Sequence, residues 1–194
     1  MKHSIGQKKP FTKKQISTLK KILLSENNLR DYCLFSMGID TMLRSSDLLK
    51  LTVADVVDHN EKIKKTFDVQ QKKTGNTNTV QLQDDTMKQL KVFIDATGKC
   101  NNEFLFTGRK MTHNPISYVQ HSRLVKKWTD FLGLDVREYS THSVRRSKSS
   151  IIYGITNNVE VCRQLLGQSN CTATSRYLGI GKQDALRVGA SIVL

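Results

Sequence analysis

No stretch of this sequence approaches the roughly 20 apolar residues of a membrane-spanning helix, and its start, Met1-Lys2-His3-Ser4, lacks the apolar core of a secretory signal. Both absences lead us to expect a cytoplasmic chain with no membrane partner. Acidic residues are scarce: 17 Asp and Glu face 31 Lys and Arg, a formal net charge of +14. So positive a surface calls for a polyanionic partner, of which nucleic acid is the commonest. The cysteines, Cys33, Cys100, Cys162 and Cys171, form no CxxC pair, so neither a zinc site nor a disulfide framework is indicated. His3, His59, His113 and His121 lack ligand spacing and read as surface residues. A chain of 194 residues is long enough for one well-buried domain.

Read in order, the pattern is mainly helical with a small β interruption. Residues 1–10 are basic, end in Pro10 and read as an arm. Thr12-Lys13-Lys14-Gln15 fits a capping box for a helix from about 13 to 24, with Ile16, Leu19, Ile22 and Leu23 at helical spacing. A second helix is predicted from Asn28 to about Ile39, and a short third one just after Arg44. From Val56 the period changes. Ile63, Phe67 and Val69, the turn residues Lys73-Thr74-Gly75-Asn76 and the extended Thr79–Leu82 predict two or three antiparallel strands. Asp84-Asp85 reads as the cap of a helix ending near Gly98. Asn114-Pro115 reads as the start of another, with Leu124, Trp128 and Phe131 on its buried face. His142–Tyr153, Val159–Leu166 and a tail helix after Gly181 complete the pattern, an α+β class dominated by α.

His142-Ser143-Val144-Arg145 sets a histidine and an arginine three apart, on one face of a helix. Taken alone this is a weak pattern, and a solvated face is its commoner explanation. In the same chain stand Leu43-Arg44-Ser45-Ser46-Asp47-Leu48, Lys73-Thr74-Gly75, Leu166-Gly167-Gln168-Ser169 and Arg176-Tyr177. In this order and spacing the motifs resemble the tyrosine recombinases, or phage integrase family, from about Phe11 to Leu178. A phosphodiester under attack gathers negative charge on its non-bridging oxygens. The planar guanidinium fork suits them better than a flexible ammonium does.

The resemblance implies a recombinase catalytic domain over residues 11–180, an appended tail over 181–194 and a DNA strand-transfer enzyme of the kind mobile elements carry. It further implies Arg44 and Arg145 as the phosphate clamp, Tyr177 as the nucleophile forming a 3′-phosphotyrosyl link, and His142 assisting it. Lys73 would protonate the departing 5′-oxygen, with Lys72 its rival across one residue of register. Asp47 would support, either orienting a guanidinium or favouring the helix dipole. Lys72, Arg146 and Arg176 are the further expected DNA contacts. Gln168 stands where histidine or tryptophan is usual and donates a hydrogen bond without exchanging a proton. Met42 replaces a common glycine, and Arg146 a frequent histidine. The implied partner is double-stranded DNA with a specific site, bound by four protomers that are monomers without it, using no nucleotide cofactor or obligatory metal. A non-catalytic DNA-binding protein with this fold and a type IB topoisomerase remain the alternatives.

Overall fold

The computed structural model describes residues 7–108, 113–180, 186 and 190. Helix α1, Lys13–Ser25, opens with the expected capping box: Thr12 and Gln15 each bond the other's backbone N–H, and Leu19 and Leu23 face inward. Helix α2, Leu29–Thr41, starts at Asn28 and is buried from Asp31 through Thr41, with α1, α5 and α7 packed around it. Its end turns through Met42, whose φ of 51° is left-handed. That geometry costs a side-chain-bearing residue about 1–2 kcal/mol, which explains why glycine is usual there.

The chain passes through Arg44 into α3, Ser45–Leu48, then into an unexpected single turn α4, Val53–Val56, closed by a Thr52–Asp55 capping box. Strands β1, Thr66–Gln70, and β2, Thr77–Gln81, pair antiparallel with Phe67 opposite Val80 and Val69 opposite Asn78. Ile63 makes only an isolated bridge to Val57, so this sheet has two strands.

Helix α5, Asp84–Thr97, takes Gln83 as its N-cap, leaving Asp84 and Asp85 in the first turn, and ends at Gly98 with φ 61°. Helix α6, Tyr118–Phe131, does not start at Asn114-Pro115. Ser117 and Gln120 form a capping box three residues further on, while Pro115 bridges Thr107. Trp128 is buried, and Leu124 and Phe131 pack against the core as expected.

The reading of His121 as a surface residue is overturned. It is 1% exposed, at helical spacing with Val125 and Trp128, and its ring lies edge-on to Trp128. Burial pushes its pKa down to about 4, against the pull of Asp31, so the ring is neutral at pH 7.

Helices α7, Thr141–Thr156, α8, Val159–Leu166, and α9, Cys171–Leu178, complete the described fold. A Cβ on Gly38 of α2 would meet Val144 Cγ1 of α7 at 2.8 Å, so glycine lets α7 approach and sets the depth of the adjoining Arg145. The expected tail helix after Gly181 lies outside the described residues apart from Leu186 and Ala190. Among the described residues no helix is long and apolar enough to cross a membrane.

Candidate active site

Arg44 from the α2–α3 corner and His142 and Arg145 from the first turns of α7 meet at one small cleft, and α9 sets Tyr177 beside Arg145 and His142. A cleft of about 170 Å³ is lined by Arg44, Ser45, Ser46, Tyr118, Thr141, His142 and Arg145. A larger groove of about 1030 Å³, beside Phe93 and Phe131, contains none of the four expected groups.

Each clamp arginine is tied down. Arg44 Nη1 donates to Gln71 Oε1 at 2.5 Å. Arg145, 4% exposed, donates from Nη2 to the carbonyl of Leu166 at the end of α8, 2.9 Å away. Burial opposes its charge, and Tyr177 and Asp47 favour it. A guanidinium stays protonated through such competition.

Tyr177 lies against both consecutive arginines of α7, its ring centroid 5.9 Å from Arg145 Cζ and 5.6 Å from Arg146 Cζ. Its hydroxyl is buried and makes no hydrogen bond among the described residues. Burial raises the phenol's pKa, while the charges of Arg145, Arg146 and Arg44 pull it back. His142 meets the tyrosine edge-on, ring centroids 6.5 Å apart. Partial shielding from water, then the charges of Arg145, Arg146 and Arg44, lower the imidazole pKa below its usual 6.5. A neutral ring at pH 7 is free to accept a proton.

The remaining expected residues lie around this centre. Lys72 and Lys73 are exposed on the turn between β1 and β2, and among the described residues neither ammonium makes a hydrogen bond or salt bridge. Asp47 takes neither a guanidinium nor another side chain of the clamp: its Oδ1 accepts the backbone N–H of Lys72 at 3.1 Å, pinning that turn. Gln168 Oε1 accepts from the Thr174 hydroxyl at 2.7 Å, joining the Gly167 loop to α9. Arg146 is 5% exposed, sandwiched under Tyr177 and donating to the carbonyl of Lys8. Arg176 is exposed.

Residues 7–11, the described part of the arm and its junction with α1, are held against α7 and α9. Gln7 Nε2 donates to the carbonyls of Arg176 and Tyr177, at 2.8 and 2.6 Å, and the Phe11 N–H donates to Ser147 Oγ at 2.8 Å. Gln71 and Tyr118 were not among the expected residues. Strand alternation was the available signal for Gln71, since it continues the inward series Phe67, Val69. Among the described residues no group of His, Cys, Asp and Glu gathers to hold a metal.

The model of the phage integrase family matches residues 9–183. The chain belongs to the phage integrase family. A probable integrase/recombinase of Bacillus subtilis, YoeC, is 30% identical over 178 residues, 92% of each chain. A tyrosine recombinase of Pseudothermotoga lettingae is 28% identical across 87% of this chain and 56% of its own. Among solved structures, the XerH site-specific recombinase bound to its difH substrate superposes with a TM-score of 0.73. It is 19% identical, over 94% of this chain and 54% of that one. This integrase-family chain thus spans nearly all of one relative and about half of the others. Membership makes it a tyrosine recombinase, an enzyme of DNA strand transfer.

Proposed function

We propose that the protein cuts and rejoins double-stranded DNA at a specific site through a 3′-phosphotyrosyl intermediate. The observation that carries this reading is the convergence of Arg44, Arg145 and His142 on one cleft, with Tyr177 packed on the Arg145 guanidinium. Arg44 and Arg145 hold the non-bridging oxygens as charge builds on them. The Tyr177 oxygen attacks phosphorus, its proton passes to neutral His142, and the bond from phosphorus to the 5′-oxygen breaks. Lys73 protonates that oxygen as it leaves, and Gln168 Nε2 adds a hydrogen bond to the phosphate. The ester bond to tyrosine keeps the phosphodiester energy, so an incoming 5′-hydroxyl reverses the step on a new strand without an outside energy source.

Supporting the partner are the net charge of +14 and the DNA complexes of similarly folded recombinases. Lys72 and Arg176, both exposed, are suited to phosphate contacts beside the cleft. Exchange between two duplexes calls for four protomers on DNA, assembled from monomers, with the apolar Ile192-Val193-Leu194 end as a docking element. Sedimentation with and without a cognate duplex tests that count.

The activity is tested with a nicked suicide duplex that lets the cut strand diffuse away. A covalent protein–DNA adduct should form and be absent from Tyr177→Phe. Absence of an adduct on a cognate site would instead favour a DNA-binding protein that keeps the fold. Adduct formation should fall as pH drops through the lowered pKa of His142, because the protonated ring no longer accepts the phenol's proton.

A further inference from the structure

Gln71 is 1% exposed, sits where β1 runs into the turn bearing Lys72 and Lys73, and is assigned to no part of the reaction above. Its backbone closes that turn, the N–H donating to Asn76 O at 2.9 Å and the carbonyl accepting from Gly75 N at 2.8 Å. Its side-chain oxygen takes two donors, Arg44 Nη1 and the hydroxyl of Thr74 at 3.2 Å. A guanidinium can only donate, so the amide orientation is fixed: oxygen toward Arg44, nitrogen toward α8.

On that side the nitrogen is buried with no partner among the described residues and abuts Gly167, where an added Cβ would stand 2.2 Å from Nε2. The neighbouring carbonyls at the end of α8 accept from other donors, Leu165 O from Asn78 Nδ2 at 3.4 Å and Leu166 O from Arg145. A buried amide donor left unpaired is unfavourable. What the side chain does make is the pair of bonds its oxygen accepts from Arg44 and Thr74.

We infer that Gln71 is a positioning residue of the strand-transfer reaction, aiming the Arg44 fork at the phosphate. This rests on the proposed activity. Asp47, through Lys72 N, fastens the same turn from the α3 side, so the hairpin is tied to the α2–α3 corner at two points. Small errors in such a group are costly: a misplacement of about 1 Å lowers rates by about 100-fold.

The test is single-turnover cleavage of the nicked duplex by Gln71→Leu, which keeps bulk but removes the acceptor, and by Gln71→Glu, which keeps the acceptor. Gln71→Leu should cleave about 100-fold more slowly with unchanged duplex affinity, and Gln71→Glu should recover most of that loss. In an Arg44→Ala background Gln71→Leu should cost nothing more, since the group it aims is gone. Wild-type cleavage by Gln71→Leu, or losses that multiply in the double variant, would overturn the inference while leaving the strand-transfer reading intact. Failure of the unmodified protein to form an adduct would strike that reading instead. Positioning is then read from the Arg44 Nε–H resonance, which should broaden or shift in Gln71→Leu and return in Gln71→Glu. An unchanged resonance in Gln71→Leu would again refute it.

Discussion

The clamp and the nucleophile are built to different standards of rigidity. Arg44 and Arg145 hang on α2, α3 and α7, where α2 is buried from Asp31 through Thr41 and each guanidinium has a protein acceptor. Tyr177 hangs on α9, an eight-residue helix whose only buried residue is Thr174. Sparse packing is where local opening is cheapest. The difference teaches a division of labour: the phosphate cradle is preorganised on the core, and the attacking group is delivered by a lightly held peripheral helix. Among the described residues that helix is held by Gln7 on its carbonyls, by Thr174 on Gln168, by Cys171 on Glu160 and by Arg145, Arg146 and His142 around the ring.

The largest effects should come from the cradle. Arg145→Ala or Arg44→Ala should lower cleavage on the order of 10³-fold while duplex binding at fixed salt is largely kept; near-normal cleavage in either variant would break the division. Lys73→Ala follows, with a loss of about 100-fold or more. A substrate whose bridging 5′-oxygen is sulfur should rescue it, because a thiolate leaves without a proton; rescue of Lys72→Ala instead would move the assignment by one residue.

The third test strikes the core where α6 packs its buried face. His121 has a pKa of about 4 when folded against 6.5 when free. The unfolded chain therefore binds the proton first as pH falls. Stability should be greatest above pH 6.5 and decline toward pH 4, by about 3 kcal/mol in all. Thermal melts of His121→Gln should show a flatter decline across this window, and an unaltered slope would contradict the assignment. The smallest effect belongs to the periphery. Thr174→Val removes the hydroxyl that joins α9 to Gln168 and should cost about 1 kcal/mol, with faster hydrogen exchange confined to α9. Exchange that quickened equally in α2 would erase the contrast between the two regions.

Features governed by neighbours in sequence were legible before the fold was known. The Thr12 box, the α2 start at Asn28, the hairpin turn at Gly75 and the α8 bounds all rest on contacts within a few residues. The left-handed Met42 shows why an absent glycine was noticeable there. What sequence missed depends on distant partners. Gln71 lies 27 residues from the arginine it holds, Asp47 25 from the amide it accepts, and Arg146 138 from Lys8. Two local signals were outweighed. Ser117 and Gln120 had capping-box spacing behind the more visible Asn114-Pro115, and His121 had the helical spacing of a core residue behind a polar name.

The central claim, that Tyr177 attacks a phosphate held by Arg44 and Arg145, faces one internal rival. Tyr118 lines the same cleft, 56% exposed. Mapping the trapped adduct by mass spectrometry after nuclease and trypsin digestion separates them. A nucleotide remnant is expected on the peptide that contains Tyr177 and ends at Lys182. A remnant on Tyr118, or on any residue other than Tyr177, would contradict it.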